Sequence, residues 1–315
     1  MKLETDSWSD YWQAGQKTTF GSLADFRENT HLAKLWKDLL GQSLKGTVLD
    51  IGCGNGALSL LLIQLAQEQQ IDIDVHAIDS AKIQQSDENR ANVHFYPETS
   101  AEEMPFADQY FDNAVSHFGF EYTDVDTSLI STHRVLNPGA TLTLVSHHRS
   151  SWLSRESFDI LRQLIGIEES GLINTLSDLL RRLDILQSRS LDPSKDQEAE
   201  RLREALNRTA KGLQDKTSTT AFDPTFTLQV ISAALRVFKE EHRAGKSSSE
   251  YVNLLQNSLR SHAARLQAHK NAALSDEEWT LFKDKVETAG FEVGRFEPVV
   301  LNGYHYGHLV QAVRQ

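Results

Sequence analysis

Ten residues constrain this chain more than any others: Val48-Leu49-Asp50-Ile51-Gly52-Cys53-Gly54-Asn55-Gly56-Ala57. The run opens apolar, as a buried strand does, and Leu58 to Ile63 continues it as the start of a helix. Between them three glycines alternate with small residues. Glycine permits tight turns with positive φ, and having no Cβ it lets a ligand approach bare backbone. The helix that follows offers unpaired N–H groups and a partial positive charge. Strand, glycine turn and helix therefore describe a ligand cradle, with a glycine turn holding no ligand as the plain alternative.

Two cofactors compete for it. Gly52, Gly54 and Ala57 fit the loose dinucleotide pattern G-x-G-x-x-G/A. Asp50, two residues before the first glycine, favours a different ligand, because a carboxylate there repels a pyrophosphate and attracts a cationic amino-acid group. The whole run V-L-D-I-G-C-G-N-G resembles the first motif of the class I S-adenosylmethionine (SAM) methyltransferases. That resemblance implies that Asp50, Gly52, Gly54, Asn55 and Gly56 wrap the methionine part of SAM.

The following segments extend the likeness. A second strand, Ile73 to Ile78, ends at Asp79, where an acidic residue accepts hydrogen bonds from ribose hydroxyls under either cofactor; a helix-capping role before Ser80 is the alternative. After a short strand, Val93 to Tyr96, come Thr99-Ser100-Ala101-Glu102-Glu103-Met104-Pro105-Phe106 and Tyr110-Phe111-Asp112-Asn113-Ala114-Val115. The pair resembles the family's D-A-x-x-L-P-F … F-D-x-V region, with Ser100 where Asp is usual. Ser100, Ala101 and Glu102 are thereby expected at the adenine, and Ser80, Ser116 and Phe118 join the expected cofactor contacts. His133 to Ala140 resembles the family's R-x-L-x-P-G-G turn, a signal of fold rather than chemistry.

Ligands of open α/β sheets bind beyond the carboxyl ends of the strands. The fourth strand ends in Ser116-His117-Phe118-Gly119-Phe120-Glu121-Tyr122 and the fifth in His147-His148. His117, Tyr122 and His147 are the catalytic candidates, with His117 either a general base or a structural ring. Glu121 and His148 are candidate acceptor contacts, as are Tyr11, Trp12 and Phe20 in the aromatic N-terminal stretch, which equally well anchor that stretch to the core. The histidines lack a metal-ligand spacing such as H-E-x-x-H, so no metal is expected.

Charge and composition narrow the partners. A net charge of −12 over 315 residues, without a basic block, argues against nucleic acid and anionic membranes. A single cysteine, Cys53, excludes internal disulfides and cysteine-rich zinc sites. The start, Met1 to Asp6, lacks the apolar region of a signal peptide, and no apolar run reaches the roughly 18 residues of a membrane helix. A cytoplasmic enzyme is the expectation, with a homodimer as one possible assembly.

The periodicity divides the chain. Leu32, Leu35, Trp36, Leu39 and Leu40 mark one helix face ending at Gly41, whereas residues 5–24 show no period. From Ser151 strand signals vanish. Phe158, Leu161, Leu164 and Ile165 form one helical face, and Leu172, Ile173, Leu176, Leu179, Leu180 and Leu183 another. Residues 192–220 read as a solvated helix and loop. Asp223-Pro224 opens a helix carrying Ile231, Leu235 and Phe238, and capping boxes at Ser247/Glu250 and Ser275/Glu278 open two more, the first carrying Leu254, Leu255, Leu259 and Leu266. Strands follow over 291–300 and 308–313. The expected fold is a Rossmann-like seven-stranded, mostly parallel sheet flanked by helices, with a large helical insertion after the fifth strand. The corresponding division is an N-terminal segment 1–44, a SAM-binding core 45–150, a helical insertion 151–274 serving as lid or dimer surface, and a completion of the core, 275–315.

The resemblance implies a SAM-dependent methyltransferase transferring a methyl group to a small molecule by in-line displacement. The alternatives are a non-catalytic SAM-binding protein, a SAM-modifying enzyme of the same fold, and an NAD-dependent oxidoreductase.

Overall fold

The structure, a computed structural model, describes residues 2–16, 31–41, 44–84, 92–218, 223–239 and 247–315. The chain divides into two compact units, residues 1–156 with 267–315 and residues 157–266.

The first unit is built on a seven-stranded sheet. Its strands are β1 (Gly46–Ile51), β2 (Ile73–Ile78), β3 (Val93–Tyr96), β4 (Phe111–His117), β5 (Leu136–Ser146), β6 (Phe291–Leu301) and β7 (Tyr304–Arg314). Their order is β3-β2-β1-β4-β5-β7-β6. β1 to β5 are parallel neighbours, and β7 runs antiparallel between β5 and β6. The parallel strands read as continuous apolar runs because both faces are covered. Successive residues point to opposite sides. Val48 thus enters a cluster with Trp36, Leu61 and Leu62, from helices α2 (His31–Leu40) and α3 (Ala57–Glu68). Leu49 and Ile51 enter another with Leu129, Trp279, Phe282 and Val286, from α4 (Val125–Val135) and α10 (Asp276–Thr288). α10 starts where its capping box places it: the Glu278 N–H donates to Ser275 Oγ and the Ser275 N–H to Glu278 Oε2.

Strands advance outward from β1 in one direction and from β4 in the other. The boundary between β1 and β4 is therefore a topological switch point, where a crevice opens at the carboxyl ends. At the opposite end of β2, Asp74 Oδ1 lies 2.8 Å from His94 Nε2 and Oδ2 lies 3.3 Å from His76 Nε2. This is the group of potential metal ligands that lies together among the described residues, and its groups hydrogen-bond to one another and to Tyr96.

Two local expectations change. Residues 17–24 of the N-terminal stretch without a period lie outside the described residues, and residues 5–13 of that stretch lie in helix α1 (Lys2–Gln13), which buries Ser7 and Trp12. Its short mixed face of aromatic and small polar residues hides the repeat. β5 also begins five residues earlier than the apolar run suggests, at Leu136.

The second unit is helical, and α5 (Trp152–Ser170) carries the chain into it. α6 (Leu172–Ser188) buries Leu172, Leu176, Leu179 and Leu180 against α7 (Gln197–Ser218) and α8 (Thr225–Arg236). α7 is more than a solvated helix. Its exposed side carries Arg201–Glu198 and Arg208–Glu204 ion pairs, while Ala199, Leu206, Ala210 and Leu213 are buried. Four side chains assigned to apolar faces, Ile165, Leu235, Phe238 and Leu254, are exposed instead.

Candidate functional site

The glycine turn takes left-handed backbone at Gly52 (φ 71°), Gly54 (φ 51°) and Gly56 (φ 84°). Close approach adds a second reason for glycine. A Cβ on Gly52 would lie 2.7 Å from the Gly119 Cα, and one on Gly54 would lie 2.5 Å from the Trp12 ring. The N–H groups of Gly52 and Cys53 donate to the Ile78 carbonyl at 2.9 and 3.0 Å, fixing the turn to the end of β2. α3 starts at Ala57 with no side-chain cap on its first N–H groups.

A cavity of about 1080 Å³ opens beside this turn at the ends of β1, β2 and β4. Single-ligand pockets run to roughly 300–1,000 Å³, so there is room for a cofactor and a small second molecule. Asp50 and Asp79 both line it. Asp50 is 1% exposed and accepts from Ser59 Oγ at 2.6 Å. Burial, aided by the charge of Asp79, pushes its carboxyl up to about 7. Asp79 accepts backbone N–H groups on both oxygens, from Gly54 on Oδ2 and from Ala81 on Oδ1, each at 2.8 Å. Each oxygen keeps a second lone pair, so the turn and a ribose can share this carboxylate. Burial raises its pKa as well.

Gly52, Ser80, Ser100, Ala101, Glu102 and Phe118 also line the cavity. Ser100 Oγ donates to Glu102 Oε2, and Glu102 Oε1 accepts from the Asp124 N–H at 2.8 Å, so this segment is tied in place. Four residues expected at the cofactor take other positions. Asn55 donates to the carbonyls of Trp12 (2.9 Å) and Gln16 (2.6 Å) and accepts from the Gln84 N–H (2.7 Å), clamping the end of α1 to the turn. Ser116 is fully buried, donating to the Ile51 carbonyl at 2.7 Å and accepting from the Phe120 N–H at 3.0 Å. Gly54 and Gly56 shape the turn without lining the cavity, each covered by an aromatic ring, Trp12 and Phe95.

On the acceptor side, His117 lines the cavity with both ring nitrogens engaged. Trp36 Nε1–H donates to Nδ1 at 3.1 Å, which leaves Nε2 to carry the proton toward the Tyr306 hydroxyl at 3.1 Å. Burial pushes its pKa down to about 3. This is a neutral structural ring, poorly suited to take a proton. His147 is buried away from the cavity lining, stacked between Phe118 at 3.9 Å and His269 at 3.7 Å. His148 faces Asp276 and Ser150. Tyr11 packs edge-on against Trp8 outside the lining, and Phe20 lies outside the described residues.

Glu121 and Tyr122 do line the cavity. They sit in a 3₁₀ turn after Phe118, whose φ of 57° is unusual for a bulky residue. That kink swings the chain off the line of β4. Glu121 is 7% exposed. Its Oε1 accepts the His147 N–H at 2.7 Å, while Oε2 is buried with no well-formed hydrogen bond, the Ser146 hydroxyl, itself without one, being the neighbour that lowers the carboxyl's pKa. Burial pushes its carboxyl up to about 7 and, with the Glu121 charge, holds the Tyr122 phenol well above its usual range.

Sequence reasoning missed several lining residues. Trp8 and Asp6 arrive with α1, and Ala268, Asn271 and Ala272 with the last turns of α9 (Ser248–Ala272). The aromatic N-terminus signalled Trp8; nothing in the motif spacing signalled Asn271.

Residues 43–181 match the family model described as a methyltransferase domain. Among curated proteins, a 2-phytyl-1,4-naphtoquinone methyltransferase of a Nostoc species is 31% identical over 126 residues, covering 37% of this chain and 55% of that protein. A ubiquinone/menaquinone biosynthesis C-methyltransferase of Vibrio campbellii is 34% identical over 119 residues, covering 35% and 46%. The chain spans about half the length of the curated relatives it matches. Among solved structures, a SAM-dependent methyltransferase from Aquifex aeolicus aligns over 94% of this chain and 100% of its own, at 14% identity and a TM-score of 0.43.

Proposed function

We propose that this chain, which belongs to the class I SAM-dependent methyltransferases through the domain at residues 43–181, moves the methyl group of SAM to a small-molecule acceptor held in the cavity. SAM is the cofactor of that family, and its sulfonium supplies an electrophilic methyl on a good leaving group. The observation that carries the reading is the placement of Asp50 and Asp79. They stand at the ends of adjacent strands, flank the left-handed glycine turn, and both line one cavity.

In this reading Asp50 faces the cationic amino-acid end, where a nearby positive charge favours its ionised form. Asp79 holds the ribose hydroxyls through the lone pairs that Gly54 and Ala81 leave free. The Ser100–Glu102 segment borders the adenine. The aromatic side chains of Trp8, Trp12, Phe118 and Tyr122 exclude water where the methyl projects, and the protein's work is to hold donor and acceptor in line. The quinone methyltransferases among the relatives support an aromatic small-molecule acceptor, which the aromatic walls would suit. No helix among the described residues is long and apolar enough to cross a membrane.

Calorimetry with SAM, S-adenosylhomocysteine and NADH tests the cofactor. Tritium transfer from methyl-labelled SAM into fractionated metabolite extracts tests the reaction. The expected result is SAM binding with label appearing in a small organic product. Tighter binding of NADH than SAM, or SAM binding without any transfer, overturns the proposal.

A further inference from the structure

The acceptor side of the cavity carries two observations that the cofactor does not explain. The first is charge. Among the described residues the lining holds seven carboxylates, Asp6, Asp50, Asp79, Glu102, Glu103, Glu121 and Asp124, and no lysine or arginine. Asp50 and Asp79 belong to the donor end, and Glu102 is hydrogen-bonded to Ser100 and Asp124. An anionic acceptor would leave water for a site whose described side chains bring carboxylates and no cation, so the donor's sulfonium alone would meet its charge, which disfavours it relative to a neutral or cationic acceptor.

The second is Glu121. Seven buried side-chain polar atoms lack a hydrogen-bond partner among the described residues, and of their owners Glu121 alone lines the cavity. Buried acceptors are nearly always satisfied, and an exception calls for a reason. The carboxylate is not loose: the His147 N–H holds Oε1 at 2.7 Å, and the Ser146 hydroxyl, which lowers the carboxyl's pKa without forming a well-made hydrogen bond, is its other polar neighbour. The terminal torsion of a glutamate has a broad well, so Oε2 can adjust to a partner while Oε1 stays bonded. The neighbouring His117 has no free nitrogen to share the task.

Resting on the methyltransferase reading, we propose that the acceptor is a neutral or cationic molecule with a hydroxyl or amine at the methylated position, and that Glu121 Oε2 takes the proton released there. The acceptor's O–H or N–H hydrogen-bonds to Oε2. Its lone pair attacks the methyl carbon, forming the new bond. The carbon–sulfur bond breaks with its electron pair going to sulfur, which becomes a neutral thioether. The acceptor's proton passes to Glu121, leaving a neutral carboxylic acid that later yields the proton to water. Charge balances: one sulfonium and one carboxylate become two neutral groups. A raised carboxyl pKa suits such a base, since proton transfer works best near the operating pH. Tyr122 is the titratable neighbour that feels the Glu121 charge, and its phenol stays protonated throughout.

The test splits a metabolite extract on an anion-exchange resin and follows tritiated-methyl transfer into the unbound and bound fractions. It uses the full chain and its Glu121→Gln and Glu121→Asp variants, with SAM affinity and thermal unfolding measured for each. Label should enter the unbound fraction. Glu121→Gln should lower turnover at least a hundredfold while SAM affinity changes less than threefold, and it should abolish the rise of turnover with pH. Glu121→Asp should recover part of the turnover and restore the rise. Label mainly in anion-bound compounds, or a Gln variant that keeps turnover and its pH rise, overturns the inference while leaving the methyltransferase reading intact. Absence of transfer into either fraction overturns both.

Discussion

The indole N–H of Trp36 donates to Nδ1 of His117 across 3.1 Å, joining residues 81 positions apart. Trp36 lies on α2, fully buried, and His117 ends β4. The bond fixes the tautomer of the ring and ties the helix to the strand end. Replacing His117 with Phe leaves a buried donor unsatisfied, which costs about 1–3 kcal/mol. Denaturant unfolding should show that loss, and SAM affinity should change less than for the donor-site variant below.

The same ring predicts a pH dependence. It gains a proton in the unfolded chain below about 6.5 but in the fold only near 3. Its contribution to stability is therefore complete above about pH 6.5 and lost as pH falls toward 3. His269 and His308, both lowered to about 4, act in the same direction. His117→Asn should unfold with a shallower dependence on pH across 3–6.5. An unchanged slope would mean that the buried ring is charged.

Glu121 acts with the opposite sign. Its carboxyl is raised from 4.5 in the unfolded chain to about 7 in the fold. The contribution of the neutral acid is complete below about pH 4.5 and lost as pH rises through 7. Without ligand, Glu121→Gln should gain stability relative to the parent chain steadily between pH 4.5 and 7, then hold a constant advantage. Chemical unfolding at stepped pH reads this directly, and a constant difference at every pH contradicts it.

Asp79→Ala removes the acceptor of the Gly54 and Ala81 N–H groups together with the proposed ribose contact. A lost charged hydrogen-bond partner costs about 1.5–3 kcal/mol, so SAM affinity should fall roughly ten- to a hundredfold. Calorimetry showing unchanged affinity removes Asp79 from the donor site.

Gly52→Ala places a Cβ 2.7 Å from the backbone of Gly119 and asks alanine to adopt a φ of 71°. Backbone cannot turn aside as a side chain can, so the β1 and β4 loops must separate. A stability loss of about 1–3 kcal/mol, accompanied by weaker SAM binding, is the expected outcome. Binding at parental strength would show that the turn tolerates the opening.

The sequence made the sheet legible because strand identity rests on local pattern: the runs at Val48, Ile73 and Phe111 carry the apolar residues that strands buried on both faces need. Asp50 and Asp79 were legible because their place follows from the end of a strand. Ser116 and His147 were not: Ser116 lies within β4 and spends its hydroxyl on the Ile51 carbonyl and the Phe120 N–H, and His147, just past β5, is held between Phe118 and His269, partners that no periodicity encodes. Asn55 looked like a ligand contact only because the segment it clamps lies 39 to 43 residues away in sequence. The exposure of Leu235 and Leu254 likewise escaped a reading that sees apolar residues but not their partners.

The reversed strand β7 bears on how this chain leaves the ribosome. Gln311 of β7 donates to Thr143 of β5 across 168 positions. At about 5–20 residues per second, β5 is synthesised roughly ten to thirty seconds before its neighbour exists. Through that interval the nascent sheet offers a row of unpaired amide and carbonyl groups to any other strand. Premature termination within the last strand would leave that row open permanently, so truncated products should be found with chaperones or in aggregates rather than as partly active protein.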